Sequence, residues 1–508
     1  MTARLDRRAS GVLLHVTSLP GPTGSGDLGR GAEAFVRFLG RARQTWWQML
    51  PVTPPGAGQG PYSSLSAFAG NEYLVSGDGL VRDGLLARND VPVIPGRADR
   101  VRFERTCRAR EEMLWRAYQA FTAKRGAPRL RRGFERFCLA ERAWLDDYAL
   151  FRALKDVHEG APWWEWDISL RRGERAVLAR ARHHLSARVR YHQVVQFFFS
   201  EQWARLRRLC RENGIAVLGD VPAFVAHDSA DVWARPELFR LDAAGQPAVV
   251  AGVPPDAYSR TGQLWGNPLY RWARHREDGY RWWIARLRRT LEQFDAVRLD
   301  HFIGFARTWE IPARARTAKR GRWTLGPGED FFRAVEKRLG GLPFVAEDLG
   351  PVNEQVFALR DALDLMGMRV FQLGFGDEEG AERNLPHAYN RRCVAYTGTH
   401  DNNTLVGWYR DGAARSSADA AAYVGKTRPT HEDFVRAVWA SVATLAIAPL
   451  QDVLGLPARA RMNVPGSARG NWTWRVTPEQ LGTDTAARLA AWTETYGRAA
   501  PTRMGLTP

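Results

Sequence analysis

Three apolar segments of this chain end in an acidic residue, and this recurrence restricts the possible folds more than any other feature of the sequence. The segments are residues 296–300, 343–347 and 393–401, which end at Asp300, Glu347 and Asp401. Acids at the carboxyl ends of buried parallel strands converge on one face of a (β/α)8 barrel, where the active sites of that fold lie. The pattern therefore predicts a barrel with three carboxylates at one end.

The rest of the chain repeats an order of short apolar strand, loop and amphipathic helix, which is the unit of such a barrel. Further predicted strands are residues 11–15, 46–51, 214–220 and 368–373, and residues 442–450 form an eighth segment whose assignment stays open. Helices are expected at residues 32–39, 280–293 and 353–365. The predicted fold class is α/β, a (β/α)8 TIM barrel with large, mainly helical insertions between barrel strands.

The domain organisation follows from the absence of sequence breaks. The 508 residues contain no internal repeat of fixed period and no low-complexity linker, so we expect one barrel domain over residues 1–508. Long amphipathic patterns with few Gly or Pro predict a helical insertion subdomain over approximately residues 85–210. A second insertion, over approximately residues 225–290, carries a loop rich in Gly and Pro.

Composition argues against several other classes of protein. The net charge is +18, but only five of the 73 basic residues are Lys and the Arg residues are scattered, so nucleic-acid binding is not expected. Four cysteines without a C-x-x-C pair argue against a disulfide framework and a structural zinc site. No apolar window could span a membrane and none resembles a signal-peptide core, so a cytoplasmic protein is expected. We expect neither a nucleotide cofactor nor a metal, because the glycines around positions 21 to 31 follow no nucleotide-binding layout and the chain has no oxygen-rich calcium loop.

The three acids suit the cleavage of a glycosidic bond. Retaining cleavage needs a carboxylate nucleophile and a second, protonated carboxyl about 5 Å away, and Asp300 and Glu347 are the natural candidates. Arg298 should project to the same face as Asp300, because side chains alternate along a strand, and keep that nucleophile ionised. His400 is a candidate donor to a sugar hydroxyl, and Asp401 a candidate for binding hydroxyls more tightly in the transition state.

Other readings of these residues stay open. A single acid at a strand end is more often a helix cap or a surface ion pair, and this applies to Asp220 and Asp348. His15 is equally compatible with an active-site role and with an interior histidine. Most of the 20 Trp residues must be packing residues, but Trp265 lies in the loop rich in Gly and Pro and is favoured as a sugar platform. Tyr62 follows the second predicted strand and could close over a bound sugar.

Eight motifs are distributed along nearly the whole chain. They are Gly11-Val-Leu-Leu-His-Val-Thr-Ser-Leu-Pro20, Tyr62-Ser-Ser64, Gly252-Val-Pro-Pro-Asp256, Gly262-Gln-Leu-Trp-Gly-Asn-Pro268, Arg298-Leu-Asp-His301, Ala346-Glu-Asp-Leu-Gly350, Thr399-His-Asp-Asn402 and Arg461-Met-Asn-Val-Pro-Gly466. Together they resemble amylomaltase, the 4-α-glucanotransferase family of α-glucan enzymes. Two departures flank the active site: Ala257-Tyr258, where the family often has an aromatic pair, and Ile303, where Arg is common. They bear on the preferred chain length and on the ratio of transfer to hydrolysis.

The resemblance implies roles for individual residues. Asp300 becomes the nucleophile, Glu347 the general acid/base and Asp401 the transition-state stabiliser. The substrate-binding positions of the family pattern fall on Arg298, His400, Asp220, Tyr62, Trp265 and Asn471. The resemblance also implies that another sugar's 4-hydroxyl, rather than water, resolves a covalent glucosyl enzyme, so that the substrates are maltooligosaccharides and α-1,4-glucans. The loop 252–267 would be the acceptor gate, no metal would be used, and the oligomeric state stays open.

Two rival functions remain at this point. An amylase-like α-glucan hydrolase on the same barrel would use the same carboxylates. A glucan-binding protein without catalysis would keep the pocket, but such a protein has no need of a protonated Glu beside an ionised Asp. A glucanotransferase is therefore the preferred interpretation of the sequence.

Overall fold

A closed barrel of eight parallel strands forms the centre of the molecule. The computed structural model describes residues 5–255, 259–467 and 469–500. The strands are β1 Ala9–Leu13, β2 Trp46–Gln48, β3 Ala216–Val221, β4 Val249–Val253, β5 Gln263–Pro268, β6 Ala296–Leu299, β7 Arg307–Pro312, β8 Arg322–Leu325, β9 Phe344–Ala346, β10 Met366–Val370, β11 Cys393–Tyr396 and β12 Leu445–Pro449. The barrel order is β1-β12-β11-β10-β9-β6-β3-β2, and β2 closes onto β1. The (β/α)8 prediction is confirmed, and the open eighth segment is β12.

Helices surround the barrel and fill its connections. The α-helices are Arg30–Arg41, Gly77–Arg82, Phe103–Thr122, Pro128–Val157, Ile168–Arg171, Arg175–His184, Ser186–Glu212, Ala230–Ala234, Trp272–Glu277, Arg281–Gln293, Ile303–Ala306, Gly328–Leu339, Glu354–Ala362, Leu405–Asp411, Ala414–Tyr423, His431–Ala440, Leu450–Val453 and Thr483–Thr495. The predicted helix at 353–365 begins at Glu354 because the Asn353 side chain accepts a hydrogen bond from Val356 N, as an N-cap does. Among the described residues, no helix is long and apolar enough to cross a membrane.

Long helices or additional strands lie in three connections between barrel strands, those after β2, β3 and β6. The connection from β2 to β3 contains the helices Phe103–Thr122, Pro128–Val157 and Ser186–Glu212. Four further strands form a separate antiparallel sheet in the order β5-β4-β7-β8. Of these, β4 and β5 lie in the connection after β3, and β7 and β8 lie in the connection after β6. The subdomain boundaries at approximately 85–210 and 225–290 stay predictions.

Alternation along the strands decides which side chains enter the barrel. One apolar cluster fills the barrel interior and includes Leu218 of β3, Met368 of β10 and Ile447 of β12. A larger cluster lies between the barrel and its helices. Because side chains two residues apart share a face, Asp220 follows Leu218 towards the interior, and Arg298 follows Ala296.

Three local assignments from the sequence need correction. Trp265 lies on β5, not in a loop, because residues 263–268 pair with β4. The strand predicted at 368–373 ends at Val370 and continues as a 3-10 turn over Phe371–Phe375. β11 ends at Tyr396, five residues before Asp401, because Asn402 Oδ1 accepts hydrogen bonds from the backbone N and the hydroxyl of Thr399 and bends the chain.

Candidate active site

Strand register places Asp220 beside Arg298 at the carboxyl end of the barrel. β3 and β6 are neighbours, and Asp220 is the register partner of Arg298. The Arg298 Nη1 donates to both Asp220 oxygens at 2.9 and 2.8 Å, and both side chains are buried. Burial raises the pKa of Asp220, although the charge of Arg298 and the hydrogen bonds from Arg298 and Tyr62 favour its ionised form.

The same guanidinium reaches the two predicted catalytic acids. Arg298 Nη1 lies 2.9 Å from Asp300 Oδ1, and Nη2 lies 4.0 Å from Glu347 Oε2. Asp300 and Glu347 are brought together because β6 and β9 are neighbours in the barrel and both residues directly follow their strands. One fixed cation therefore faces three carboxylates, and it attracts the ionised form of each.

Glu347 is held in the protonated form near neutral pH. Its Oε2 accepts a hydrogen bond from His301 N at 2.7 Å, and its Oε1 accepts one from Leu349 N at 3.3 Å. Burial raises the pKa of Glu347 to about 8; Arg298 opposes this effect and the charge of Asp300 adds to it. A buried carboxyl with such a pKa beside another carboxylate can supply a proton, as a general acid requires.

Asp401 is positioned by two residues, Arg461 and Asn463, that lie 60 and 62 residues away in sequence. Asn463 Nδ2 donates to Asp401 Oδ1 at 2.6 Å, and Arg461 Nη2 donates to the Asp401 carbonyl at 2.5 Å. His400 Nε2 lies 3.3 Å from Asp401 Oδ2. The Asp401 side chain remains 45% exposed, so this carboxylate is oriented but still open to the cleft.

An aromatic group lies on one side of the carboxylates. The rings of Tyr62 and His400 are stacked with centroids 5.1 Å apart, and Trp472 lies within 6.1 Å of both. Tyr62 OH donates to Asp220 Oδ2 at 2.7 Å. Burial and the charge of Asp220 raise the pKa of Tyr62, so its hydroxyl stays a donor. Burial lowers the pKa of His400 and favours the neutral imidazole.

A second aromatic group lies beside Glu347. The Trp265 ring meets the His301 ring edge-on at 4.7 Å and lies 6.3 Å from Phe224. His301 adopts a φ of 48°, and within the described residues its buried Nε2 has no hydrogen-bond partner. Burial lowers the pKa of His301 to about 4, so the ring is neutral at pH 7. Trp265 is 37% exposed and offers a free aromatic surface.

Comparisons with known proteins identify the family of the chain. The family model of 4-alpha-glucanotransferase, glycoside hydrolase family 77, matches residues 14–481. The chain belongs to the 4-alpha-glucanotransferase family. It is 46% identical over 501 residues to the 4-alpha-glucanotransferase of Thermus thermophilus, covering 97% of this chain and 99% of that protein. It is 43% identical over 500 residues to that of Synechocystis sp., with the same coverage.

Solved structures give the same result. An amylomaltase from Streptococcus agalactiae in complex with acarbose superposes with a TM-score of 0.94 at 38% identity, covering 97% of this chain and all of that one. An amylomaltase from Corynebacterium glutamicum, at 18% identity, shares the fold with a TM-score of 0.75 and covers 96% of this chain and 75% of that one. The protein is thus an enzyme, a 4-alpha-glucanotransferase.

Two predicted residues of this glucanotransferase lie at the edge of the site. Asn471 has its side chain engaged with its own loop: Oδ1 accepts from Val464 N at 3.0 Å, and Nδ2 donates to Ser467 O at 2.8 Å. His15 is buried, and burial lowers its pKa to about 3. It lines a small pocket together with His400. Of the acceptor-gate loop, residues 256–258 lie outside the described residues, and these include the departure at 257–258.

Sequence reasoning missed three residues that the structure brings to the site. Asn463 orients Asp401, Trp472 packs beside Tyr62 and His400, and His301 packs beside Trp265. Asn463 lies within one of the motifs that carry the family resemblance, and Trp472 directly follows Asn471. His301 directly follows Asp300, and its position beside the acids was visible in the sequence, but nothing in the local pattern of Asn463 or Trp472 indicates that they lie near acids from distant strands.

Proposed function

We propose that this 4-alpha-glucanotransferase moves α-1,4-glucan segments between maltooligosaccharides by a retaining double displacement and releases glucose as a small product. The observation that carries the proposal is the contact of Arg298 with both Asp300 and Glu347, combined with the raised pKa of Glu347. This arrangement supplies one ionised and one protonated carboxyl side by side, which retaining cleavage requires.

In the first displacement, an Asp300 oxygen attacks the anomeric carbon of the donor. Glu347 transfers its proton to the glycosidic oxygen, and the leaving sugar departs with that proton. Arg298 Nη1 lies 2.9 Å from Asp300 Oδ1 and holds this nucleophile in position for the attack. Asp401, oriented by Asn463, binds hydroxyls of the sugar ring more tightly as the ring distorts towards the oxocarbenium-like transition state.

In the second displacement, the 4-hydroxyl of an acceptor sugar attacks the glucosyl–Asp300 ester. Glu347, now ionised, takes the proton of that hydroxyl, and the bond to Asp300 breaks, so both acids return to their first state. Transfer exceeds hydrolysis if the acceptor is held in line and water is not, because positioning contributes several kcal/mol. Trp265, which is 37% exposed and packs against the ring of His301, is the proposed acceptor platform.

The remaining predicted residues have binding roles in this proposal. Asp220 anchors Arg298, and the stacked pair of Tyr62 and His400 forms the opposite wall for a sugar ring. Asn471 contributes indirectly, because it braces the loop that carries Asn463 and Trp472.

Incubation with maltotriose tests the proposal. We expect a ladder of longer oligosaccharides together with glucose, while the total of reducing ends stays constant. Reducing ends that rise with each bond cleaved, without elongation, would instead identify an α-glucan hydrolase. Glucan affinity without turnover would identify a binding protein.

A further inference from the structure

A further buried acid, Asp452, lies behind the segment that carries Asp401. Residues 398–404, which we call the Asp401 loop, lie between β11 and the helix Leu405–Asp411 and have Asp401 at their centre. Asp452 belongs to the short helix Leu450–Val453, which directly follows β12, the barrel neighbour of β11. Because Asp452 is only 1% exposed, it cannot reach a sugar in the cleft, and neither displacement step uses it.

The Asp452 carboxyl joins the two ends of the Asp401 loop. Its Oδ2 accepts a hydrogen bond at 2.6 Å from Thr397 Oγ1, immediately before the loop. Its Oδ1 accepts one at 2.8 Å from Leu405 N, immediately after the loop. Leu405 N belongs to the first turn of its helix, where backbone donors have no partner within the helix. One side chain therefore fixes the separation between the two ends of the loop.

Asp452 acts on the loop through hydrogen bonds rather than through charge. Burial raises the pKa of Asp452 to about 7, although its two hydrogen bonds favour the ionised form, and no charged neighbour among the described residues contributes to the shift. His15, His400 and Arg461 line the same small cavity. Burial lowers the pKa of both histidines, and Arg461 donates to backbone carbonyls instead.

The residue before Asp452 supports the second contact of the Asp401 loop. Gln451 is buried, and its Nε2 donates to Ala460 O at 3.2 Å. Ala460 directly precedes Arg461, which donates to the Asp401 carbonyl. Two consecutive residues that follow β12 thus brace both the loop and the segment that holds it from the other side.

We propose that Asp452 is a positioning residue for the reaction, which keeps the Asp401 carboxylate in place by fixing both ends of the Asp401 loop. The inference rests on the proposed function, in which Asp401 binds sugar hydroxyls more tightly in the transition state. A misplaced Asp401 lowers kcat and changes KM little, because the weakened contacts are those that strengthen in the transition state. A displacement of about 1 Å can cost about 100-fold in rate.

Variants at both ends of the hydrogen bond test the inference. Thr397→Val keeps a branched side chain without the hydroxyl, and we expect it to lower kcat for maltotriose by about 3- to 10-fold. Asp452→Ala removes both hydrogen bonds and should lower kcat by about 10- to 100-fold, with KM within about twofold of the wild type. At pH 6, where most of the Asp452 carboxyl is protonated, Asp452→Asn should restore kcat to within about threefold, because a carboxamide can accept from Leu405 N and donate to Thr397 Oγ1.

Two readouts distinguish positioning from a general loss of structure. The loss in Asp452→Ala should be equal on maltotriose and on glucosyl fluoride, since the oxocarbenium-like transition state of both substrates needs Asp401. The same substitution should cost less in an Asn463→Ala background, because both residues act on the one carboxylate.

Asp231→Asn is the matched control. Asp231 is 6% exposed, its Oδ2 accepts a hydrogen bond from Ala67 N at 2.7 Å, and burial raises its pKa, but its hydrogen bonds do not reach the Asp401 loop. This variant should lower the urea midpoint of unfolding and leave kcat within about twofold of the wild type.

An unchanged kcat in Thr397→Val would overturn the inference, and this variant decides if Asp452→Ala does not fold. Losses in Asp452→Ala and Asn463→Ala that simply multiply would also overturn it, as would a raised KM at constant kcat. Asp401→Asn separates this failure from failure of the proposed function. If Asp401→Asn keeps wild-type activity, the proposed role of Asp401 is wrong; if it is inactive while Thr397→Val is fully active, only the inference about Asp452 fails.

Discussion

Replacing Glu347 with Gln should change how the stability of the protein depends on pH. Burial raises the pKa of this carboxyl to about 8 in the folded state, compared with about 4.5 in an unfolded chain. Because the folded-state pKa is the higher one, the contribution of Glu347 to stability is fully present below about pH 4.5 and is lost as the pH rises through about 8. Gln does not titrate and removes this dependence.

The expected magnitude follows from proton linkage. Between the two pKa values the folded state holds one proton more than the unfolded state, so the wild type loses about 1.4 kcal/mol of unfolding free energy per pH unit. Over the whole interval the loss has a ceiling of about 5 kcal/mol, and we expect about 2–5 kcal/mol because the side chain retains 12% exposure.

Glu347→Gln also has a cost that does not depend on pH. Both oxygens of the Glu347 carboxyl accept backbone hydrogen bonds, from His301 N and Leu349 N, whereas a carboxamide has one oxygen and turns its NH2 towards the other backbone N–H. One unsatisfied donor costs about 1–3 kcal/mol. The variant should therefore be less stable than the wild type at pH 5 and more stable at pH 8.

Urea unfolding, followed by circular dichroism at pH 5 to 9, measures this crossover. Glu310→Gln is the matched control: burial acts to raise the pKa of Glu310, but hydrogen bonds from Arg240 and Arg322 outweigh it and hold that pKa below its usual value. Its difference from the wild type should stay constant over this range, because Glu310 is ionised in both states. If the Glu347→Gln difference is equally constant, Glu347 is ionised in the folded protein and the reasoning is refuted.

Four other predictions concern activity. Asp300→Asn should lower kcat by at least about 10³-fold and prevent trapping of a glucosyl enzyme from glucosyl fluoride; a trapped ester in this variant would exclude Asp300 as the nucleophile. Wild-type kcat/KM for maltotriose should fall above about pH 8 as Glu347 loses its proton. The Glu347→Gln variant should lose far more activity on maltotriose than on glucosyl fluoride, which has a good leaving group. Equal losses on the two substrates would contradict the acid/base role. Asn463→Ala should lower kcat by about 10- to 100-fold, since a hydrogen bond to a charged group is worth about 1.5–3 kcal/mol, with little change in KM; an unchanged kcat would remove Asn463 from the positioning of Asp401. Trp265→Ala should raise the KM for the acceptor and leave donor cleavage largely intact, so an unchanged ratio of transfer to hydrolysis would count against the acceptor platform.

Local patterns were sufficient for most barrel strands. Short runs of apolar residues bounded by Gly, Pro or an acid are typical of strands that are buried on both faces, as in a parallel sheet, and this pattern is contained within a few residues of sequence. The sequence patterns predicted the end of a strand wrongly where polar side chains bend the chain. The strand predicted to reach Asp401 ends earlier, because Thr399 and Asn402 form a hydrogen-bonded turn before it. The patterns also failed for Trp265, because the pairing of β5 with β4 depends on a partner elsewhere in the insertion.

The sequence by itself determined the barrel class and the family and supplied the three candidate acids, because strand periodicity and motif spacing are local properties. Only the tertiary structure decided which groups face these acids. The strand order of the barrel makes β3, β6 and β9 neighbours, which places Arg298 against Asp220, Asp300 and Glu347. It also brings Asn463 to Asp401 across 62 residues. The raised pKa of Glu347 has the same origin, since burial is a property of the assembled barrel and of no single segment.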